Sequence, residues 1–279
     1  MRPARTIISL LLLLAVAGAC GSGPTRTAAA RLAHPASSRA SHPRPVSVVS
    51  QRLAPSAGAP AGQGPVRLLF VGASVTSGSG ASTPAHAYPE VVAAQLQAAG
   101  HAVELHVIAR GGITVATADS WDLAVPADVV VVQLATNDFN RDEPLAAFSA
   151  TYNDVVRRVR AASPRAQLIC TGGWNDPSNV NLIGVSVADY DAAAWSACTI
   201  EGGRYVDLSE IYLDPRNHGP VGRPTFQGPG DHFHPNDRGH EELAARVLAS
   251  QDLSYARAPE ASDEGVVAAP RVAEQALVS

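Results

Sequence analysis

The chain is poor in charge, in aromatic rings and in cysteine, and each shortage narrows what it can be. Only 16% of its 279 residues are charged, and 21 Lys and Arg stand against 25 Asp and Glu for a net charge of −4. A general nucleic-acid binder needs a clustered positive field, so this balance argues against that class. Aromatic residues make up 5% of the chain, which leaves few rings for a stacking surface. The apolar run at residues 7–19, with Ser9 its only polar side chain, stops short of the roughly 20 residues a spanning helix needs. The Gly-Lys-Ser/Thr ending of a phosphate loop is missing after Gly72-Ala73-Ser74. The three cysteines, Cys20, Cys170 and Cys198, are an odd count for an exported protein. With Cys20 lipidated or removed, Cys170 and Cys198 are left as an even pair. In an oxidising compartment they can bridge and contribute about 2–4 kcal/mol; two buried thiols are the alternative.

The ends of the chain read differently from its middle. Arg2 and Arg5 precede the apolar run, and small residues Ala17-Gly18-Ala19 lead to Cys20. Residues 1–20 are therefore expected to be a secretory signal. The cysteine after small residues also resembles a bacterial lipobox, with Ala17 where leucine is usual, and implies a diacylated thiol at the membrane. An ordinary signal peptide with an incidental Cys20 is the plainer alternative. Residues 21–64, rich in Pro, Ala, Ser, Gly and Arg, are expected to be a disordered linker, and residues 256–279 a flexible tail. What lies between, residues 65–255, is the size of one domain.

Inside that domain strand and helix patterns alternate. Strands are expected at 66–71 (VRLLFV), 102–108 (AVELHVI), 127–134 (ADVVVVQL), 167–171 (QLICT) and 204–208 (RYVDL). Helices are expected at 88–99, 145–162, 187–197 and 236–253. The near-continuous β-branched run at 127–134 is typical of a strand covered on both faces. This alternation predicts an α/β fold, a three-layer α/β/α sandwich around a central parallel sheet. In such sheets the site lies beyond the carboxyl ends of the strands. Ser74, Gly112, Asn137 and Trp174 all fall just past predicted strands.

Two distant segments carry the chemistry. Ser74 follows Gly72 on a small-residue turn, and Asp231 stands three positions before His234. Serine is a weak nucleophile until a base takes its proton, and the base needs a carboxylate to fix its tautomer, so the three residue types form a complete set. Each segment alone is ambiguous: Gly-Ala-Ser is also a plain turn, and His232 competes with His234. Asp231, His232, His234 and Asp237 also suggest a metal site, which would leave Ser74 and Asn137 unexplained. Asn137 after the strongest strand can donate its amide to an oxyanion, and Gly112 after the second strand can present a bare backbone N–H. An Asx turn and a diglycine turn are the structural alternatives. Trp174 is a candidate for stacking on a sugar or acyl chain, or a core tryptophan.

These four blocks, in this order, resemble the SGNH hydrolases, also called the GDSL esterase/lipase family. Gly72-Ala73-Ser74 stands where the family often has Gly-Asp-Ser. Gly112-Ile113-Thr114 supplies the oxyanion glycine, Ala135-Thr136-Asn137-Asp138 matches a Gly-x-Asn-Asp block, and Asp231 to His234 the Asp-x-x-His block. The resemblance implies a flavodoxin-like sandwich and a serine esterase with catalytic Ser74, Asp231 and His234. It implies an oxyanion hole of Ser74, Gly112 and Asn137, and no metal or organic cofactor. Ala135 in place of glycine is expected to tighten the site and narrow the acyl group accepted. A small-molecule or glycan ester is the expected partner, with short-chain or carbohydrate O-acyl esters favoured, in an extracytoplasmic protein that is secreted or anchored through Cys20. An acyltransferase, a glycan-binding module on the same fold and a metal-dependent phosphoesterase are the competing readings.

Overall fold

The structure, a computed structural model, describes residues 47–53 and 64–251. The predicted signal and lipobox at residues 1–20, with Cys20, and the predicted tail at 256–279 lie outside the described residues.

The principal strands are β1 (Ser47–Leu53), β2 (Val66–Gly72), β3 (Val103–Ala109), β4 (Val129–Gln133), β5 (Gln167–Thr171) and β6 (Arg204–Val206). Two short strands, β7 (Pro224–Thr225) and β8 (Gly228–Pro229), form a separate hairpin. The helices are α1 (Tyr88–Ala98), α2 (Val115–Asp119), α3 (Thr136–Asn140), α4 (Leu145–Ala162), α5 (Val187–Ile200), α6 (Ser209–Leu213) and α7 (Asp237–Ala249). The main sheet runs β1-β3-β2-β4-β5-β6, and β3, β2, β4, β5 and β6 are mutually parallel. Strand order reverses at β2, so the crevice of the sheet opens beside its carboxyl end.

Alternation along the strands sends residues to two cores. Leu69, Val71, Val130, Val132, Leu168 and Cys170 pack with α2, α4 and α5. Leu68, Phe70, Leu105, Val129, Val131 and Ile169 pack with α1, α6 and α7. Every residue of β4 is buried, as its four valines require of a strand covered on both sides. Along α4, Phe148, Tyr152, Val155, Val156 and Val159 form one buried face at helical spacing. A disulfide joins Cys170 on β5 to Cys198 on α5, with Cα atoms 6.0 Å apart, and so fastens that helix to the sheet.

The linker expected through residues 21–64 is corrected at Ser47–Leu53. This segment pairs antiparallel with β3, Ser47 opposite Ala109 and Leu53 opposite Val103. The physical reason is the open edge of β3, whose backbone donors and acceptors this strand satisfies. Composition averaged over the whole stretch hides a short run with two adjacent valines.

Candidate active site

Ser74 stands two residues past β2 in a tight turn. Ser77 N–H donates to Ala73 O at 3.0 Å, Ser79 N–H to Ser74 O at 2.9 Å, and Ser77 Oγ–H to the same carbonyl at 2.9 Å. Only glycine fits at 72: a methyl there would lie 2.0 Å from Thr76 Oγ1 and 2.8 Å from Gln133 O. Thr76 is buried and bonded to Tyr88 and Gln133, which roots the turn in the core. Ser74 itself remains 7% exposed.

The Asp231–His234 loop lies ahead of α7. Asp231 Oδ1 accepts the backbone N–H of Phe233 at 2.9 Å and of His234 at 2.7 Å, and Oδ2 lies 2.7 Å from His234 Nδ1. Burial alone would raise the Asp231 carboxyl, but the two backbone N–H groups and the imidazole outweigh it and hold it below the usual carboxylate range. An ionised Asp231 keeps the imidazole proton on Nδ1 and leaves the Nε2 lone pair free to accept one. No hydrogen bond joins Ser74 Oγ to His234 Nε2. The two loops are instead brought together through Gly80, where a Cβ would lie 2.2 Å from Pro235 O and 3.1 Å from His234 Cβ. The β7–β8 hairpin adds a second tie: Gln227 Nε2 donates to Ser77 O, and Ser79 Oγ to Gln227 Oε1. Beneath them the fully buried His240 accepts from Tyr88 N–H on Nδ1 and donates from Nε2 to Ser79 O. Burial pushes its imidazole down to about 4, so it stands neutral in that pair of bonds.

The expected oxyanion residues meet at the same edge. Gly112 has φ +74, a conformation that favours glycine. No hydrogen bond within the described residues occupies the backbone N–H of Ser74 or Gly112. Asn137, in α3, donates one Nδ2 hydrogen to Ile113 O at 2.8 Å. The amide has two, so one remains for a ligand. Ala135, where the resemblance expects glycine, takes φ +88. An alanine held there is strained by about 1–2 kcal/mol. Asp138 is almost fully buried. Its Oδ1 accepts Val115 N–H at 2.9 Å while Oδ2 has no partner. Burial pushes its carboxyl up to about 7, against the pull of the Val115 bond.

The substrate-stacking role expected of Trp174 is corrected. Its side chain is fully buried, and its indole N–H donates to Phe233 O at 2.7 Å. The ring packs against Tyr212 and His218. His218 Nδ1 faces the same Phe233 carbonyl at 3.0 Å. Trp174 and His218 thus hold up the histidine loop from behind. His218 escaped the sequence reading because no motif or local period marks it. Asp237, a member of the candidate metal cluster, instead accepts from Ser82 N–H and Oγ–H and from Arg223. Among the described residues no group of three or more His, Cys, Asp or Glu could hold a metal ion.

A parallel sheet with serine, glycine and asparagine beyond successive strands, and an Asp–His pair on the loop before the last helix, is the arrangement that the resemblance to the SGNH hydrolases implies. The sequence profile of the GDSL-like lipase/acylhydrolase family matches residues 70–242, and the chain belongs to that family. No curated protein is a significant match. Solved structures match in fold. TesA superposes with a TM-score of 0.51 at 18% identity, over 66% of this chain and 97% of TesA. A two-domain esterase (CEX) active on acetylated mannans gives 0.50 at 21%, over 74% of this chain and 53% of that one. The salicylyl-acyltransferase SsfX3 from a tetracycline biosynthetic pathway gives 0.50 at 18%, over 67% and 54%.

Proposed function

We propose that this protein is an extracytoplasmic serine esterase that cleaves carboxylic esters through an acyl-enzyme. The observation that carries the reading is the 2.7 Å contact between Asp231 Oδ2 and His234 Nδ1, on a loop packed against the segment that follows Ser74. His234 Nε2 takes the hydroxyl proton as Ser74 Oγ bonds to the ester carbon. The oxyanion is received by the N–H groups of Ser74 and Gly112 and the remaining Asn137 amide hydrogen. Each such donor is worth about 10²–10³ in rate. Collapse of the intermediate breaks the carbon–alkoxy bond, and His234 returns the proton to the departing alcohol. Water then repeats the cycle on the acyl-serine. Asp231 stays ionised and steadies the imidazolium.

Short-chain or carbohydrate O-acyl esters are the favoured substrates. Ala135 is only 2% exposed and belongs to the core cluster, so this choice does not rest on the narrowing expected of it. The esterase active on acetylated mannans shares the fold and is in keeping with that choice. The likeness to SsfX3 supports a second reading, in which another nucleophile replaces water at the same acyl-enzyme. We place the protein outside the cytoplasm on the apolar run and Cys20 at its start, as a membrane lipoprotein or a secreted enzyme.

The test is hydrolysis of p-nitrophenyl acetate and longer acyl esters, and of acetylated sugars, by the protein and by Ser74→Ala. Loss of turnover in the variant supports the serine mechanism, and the chain-length profile sorts the substrates. Turnover unaltered in Ser74→Ala, or none by the wild-type protein on any of these esters, would sink it.

A further inference from the structure

The part of the proposed oxyanion hole with the greatest backbone freedom is tethered from α3 and the residue that follows it. Gly111 and Gly112 are adjacent, and glycine has more backbone freedom than any other residue. Oxyanion donors act through preorganisation, so a loose diglycine turn would forfeit much of their effect. Three contacts from α3 and the residue that follows it restrain this turn and the segment after it. Asn137 Nδ2 donates to Ile113 O at 2.8 Å, Asp138 Oδ1 accepts Val115 N–H at 2.9 Å, and Arg141 Nη2 donates to Gly112 O at 2.5 Å. The first two act beyond the glycine pair. Only the third reaches Gly112 itself, the residue whose N–H faces the oxyanion in the proposed mechanism.

The mount of Arg141 is rigid although its side chain is exposed. Its backbone N–H donates to Asp138 O. The next residue, Asp142, takes φ +56, a left-handed conformation that a non-glycine residue adopts only at a cost. That conformation is secured from outside: Asp142 Oδ1 accepts Leu182 N–H at 2.7 Å. Glu143 then donates its N–H to Asp138 O, and its own carbonyl accepts the Tyr190 hydroxyl. A short helix, a strained residue and two cross-loop bonds thus aim one guanidinium at one carbonyl. A surface arginine in search of solvent needs none of these.

We propose that Arg141 is a positioning residue that holds the Gly111–Gly112 turn, so that the Gly112 N–H is aimed before the substrate's oxyanion forms. As a claim about catalysis it rests on the esterase reading above; as a claim about the turn it does not. By fixing the Gly112 carbonyl, the guanidinium fixes the peptide that follows Gly112, so the peptide that carries its N–H hangs from a held neighbour through φ and ψ of that one residue.

Two measurements on the whole protein test it, with Arg141→Ala and Arg141→Lys beside wild type. The first is independent of activity: backbone ¹⁵N relaxation at Gly111 and Gly112. The wild-type order parameters are expected near the rigid-backbone value of about 0.85, and those of Arg141→Ala below about 0.6. The second is steady-state hydrolysis of p-nitrophenyl acetate. In Arg141→Ala, kcat is expected to fall about 10- to 100-fold with KM unchanged, and added guanidinium ion to restore part of it. A merely structural role would not respond to guanidinium. Arg141→Met keeps the side-chain stem and carries both measurements should the alanine variant melt early. Unchanged order parameters would overturn the proposal. So would full activity in Arg141→Lys with the turn still loose, because charge alone would then suffice. A wild-type protein that hydrolyses no ester would defeat the esterase reading, and the relaxation data would still decide the clamp.

Discussion

Gly80→Ala puts the coupling between the serine and histidine loops under direct strain. Gly80 has φ +92, and a methyl there would stand 2.2 Å from Pro235 O and 3.1 Å from His234 Cβ. The oxygen belongs to backbone and cannot swing aside as the end of a flexible side chain could. Ordinary contact begins near 3.4 Å, so the His234–Pro235 segment must retreat by about 1 Å. The left-handed conformation costs an alanine about 1–2 kcal/mol, and the overpacking a further 1–3 kcal/mol. Together they lower the melting temperature by roughly 5–15 °C in a domain of this size. A displacement of that order at a general base costs about 10²-fold in kcat. The assay is hydrolysis of p-nitrophenyl acetate well below the melting transition, with folding checked by circular dichroism. A variant that melts with wild type and keeps kcat within threefold would refute the argument that this contact sets the position of His234.

Other consequences are equally open to measurement. Trp174→Phe removes the indole donor to Phe233 O and should lower stability by about 1–3 kcal/mol; kcat should fall with KM unchanged, whereas a tryptophan that stacked on substrate would show itself in KM. Asp138→Asn removes a carboxyl that burial pushes up to about 7. Between about pH 4 and 7 the unfolded chain releases that proton and the folded protein keeps it, so wild type loses stability as pH rises. Urea melts from pH 4 to 8 should therefore show the variant gaining on wild type across that window by up to roughly 4 kcal/mol, then levelling off; a flat difference would refute the assignment. Replacing both Cys170 and Cys198 by alanine opens a loop with a sequence separation of 28 and should cost about 3–4 kcal/mol by chain entropy, read in the same melts.

Much of the sheet is legible in the sequence alone. The helix at 145–162 and the strand at 167–171 fall where their periods place them. Each is written in a contiguous stretch whose pattern survives on its own. The strand Ser47–Leu53 was not legible, because it forms only where the edge of β3 is open to it. Trp174 could be placed past a strand but not oriented: its partner Phe233 is 59 residues away. Ala135 is visible in the sequence as a departure from glycine, while its φ of +88 is set only by the chain that surrounds it.

By itself the sequence determined the alternating α/β architecture and the chemistry on offer: a serine after a glycine turn, an aspartate within reach of a histidine, a spare amide and a bare glycine N–H. These follow from local periodicity and from what each side chain can donate, accept or release. Only the tertiary structure decided which groups face one another. It turned Trp174 inward to brace the histidine loop, brought Gly80 against Pro235, and aimed Arg141 at Gly112 across 29 residues of chain. Such contacts depend on how strands and helices stack, which no short stretch of sequence encodes.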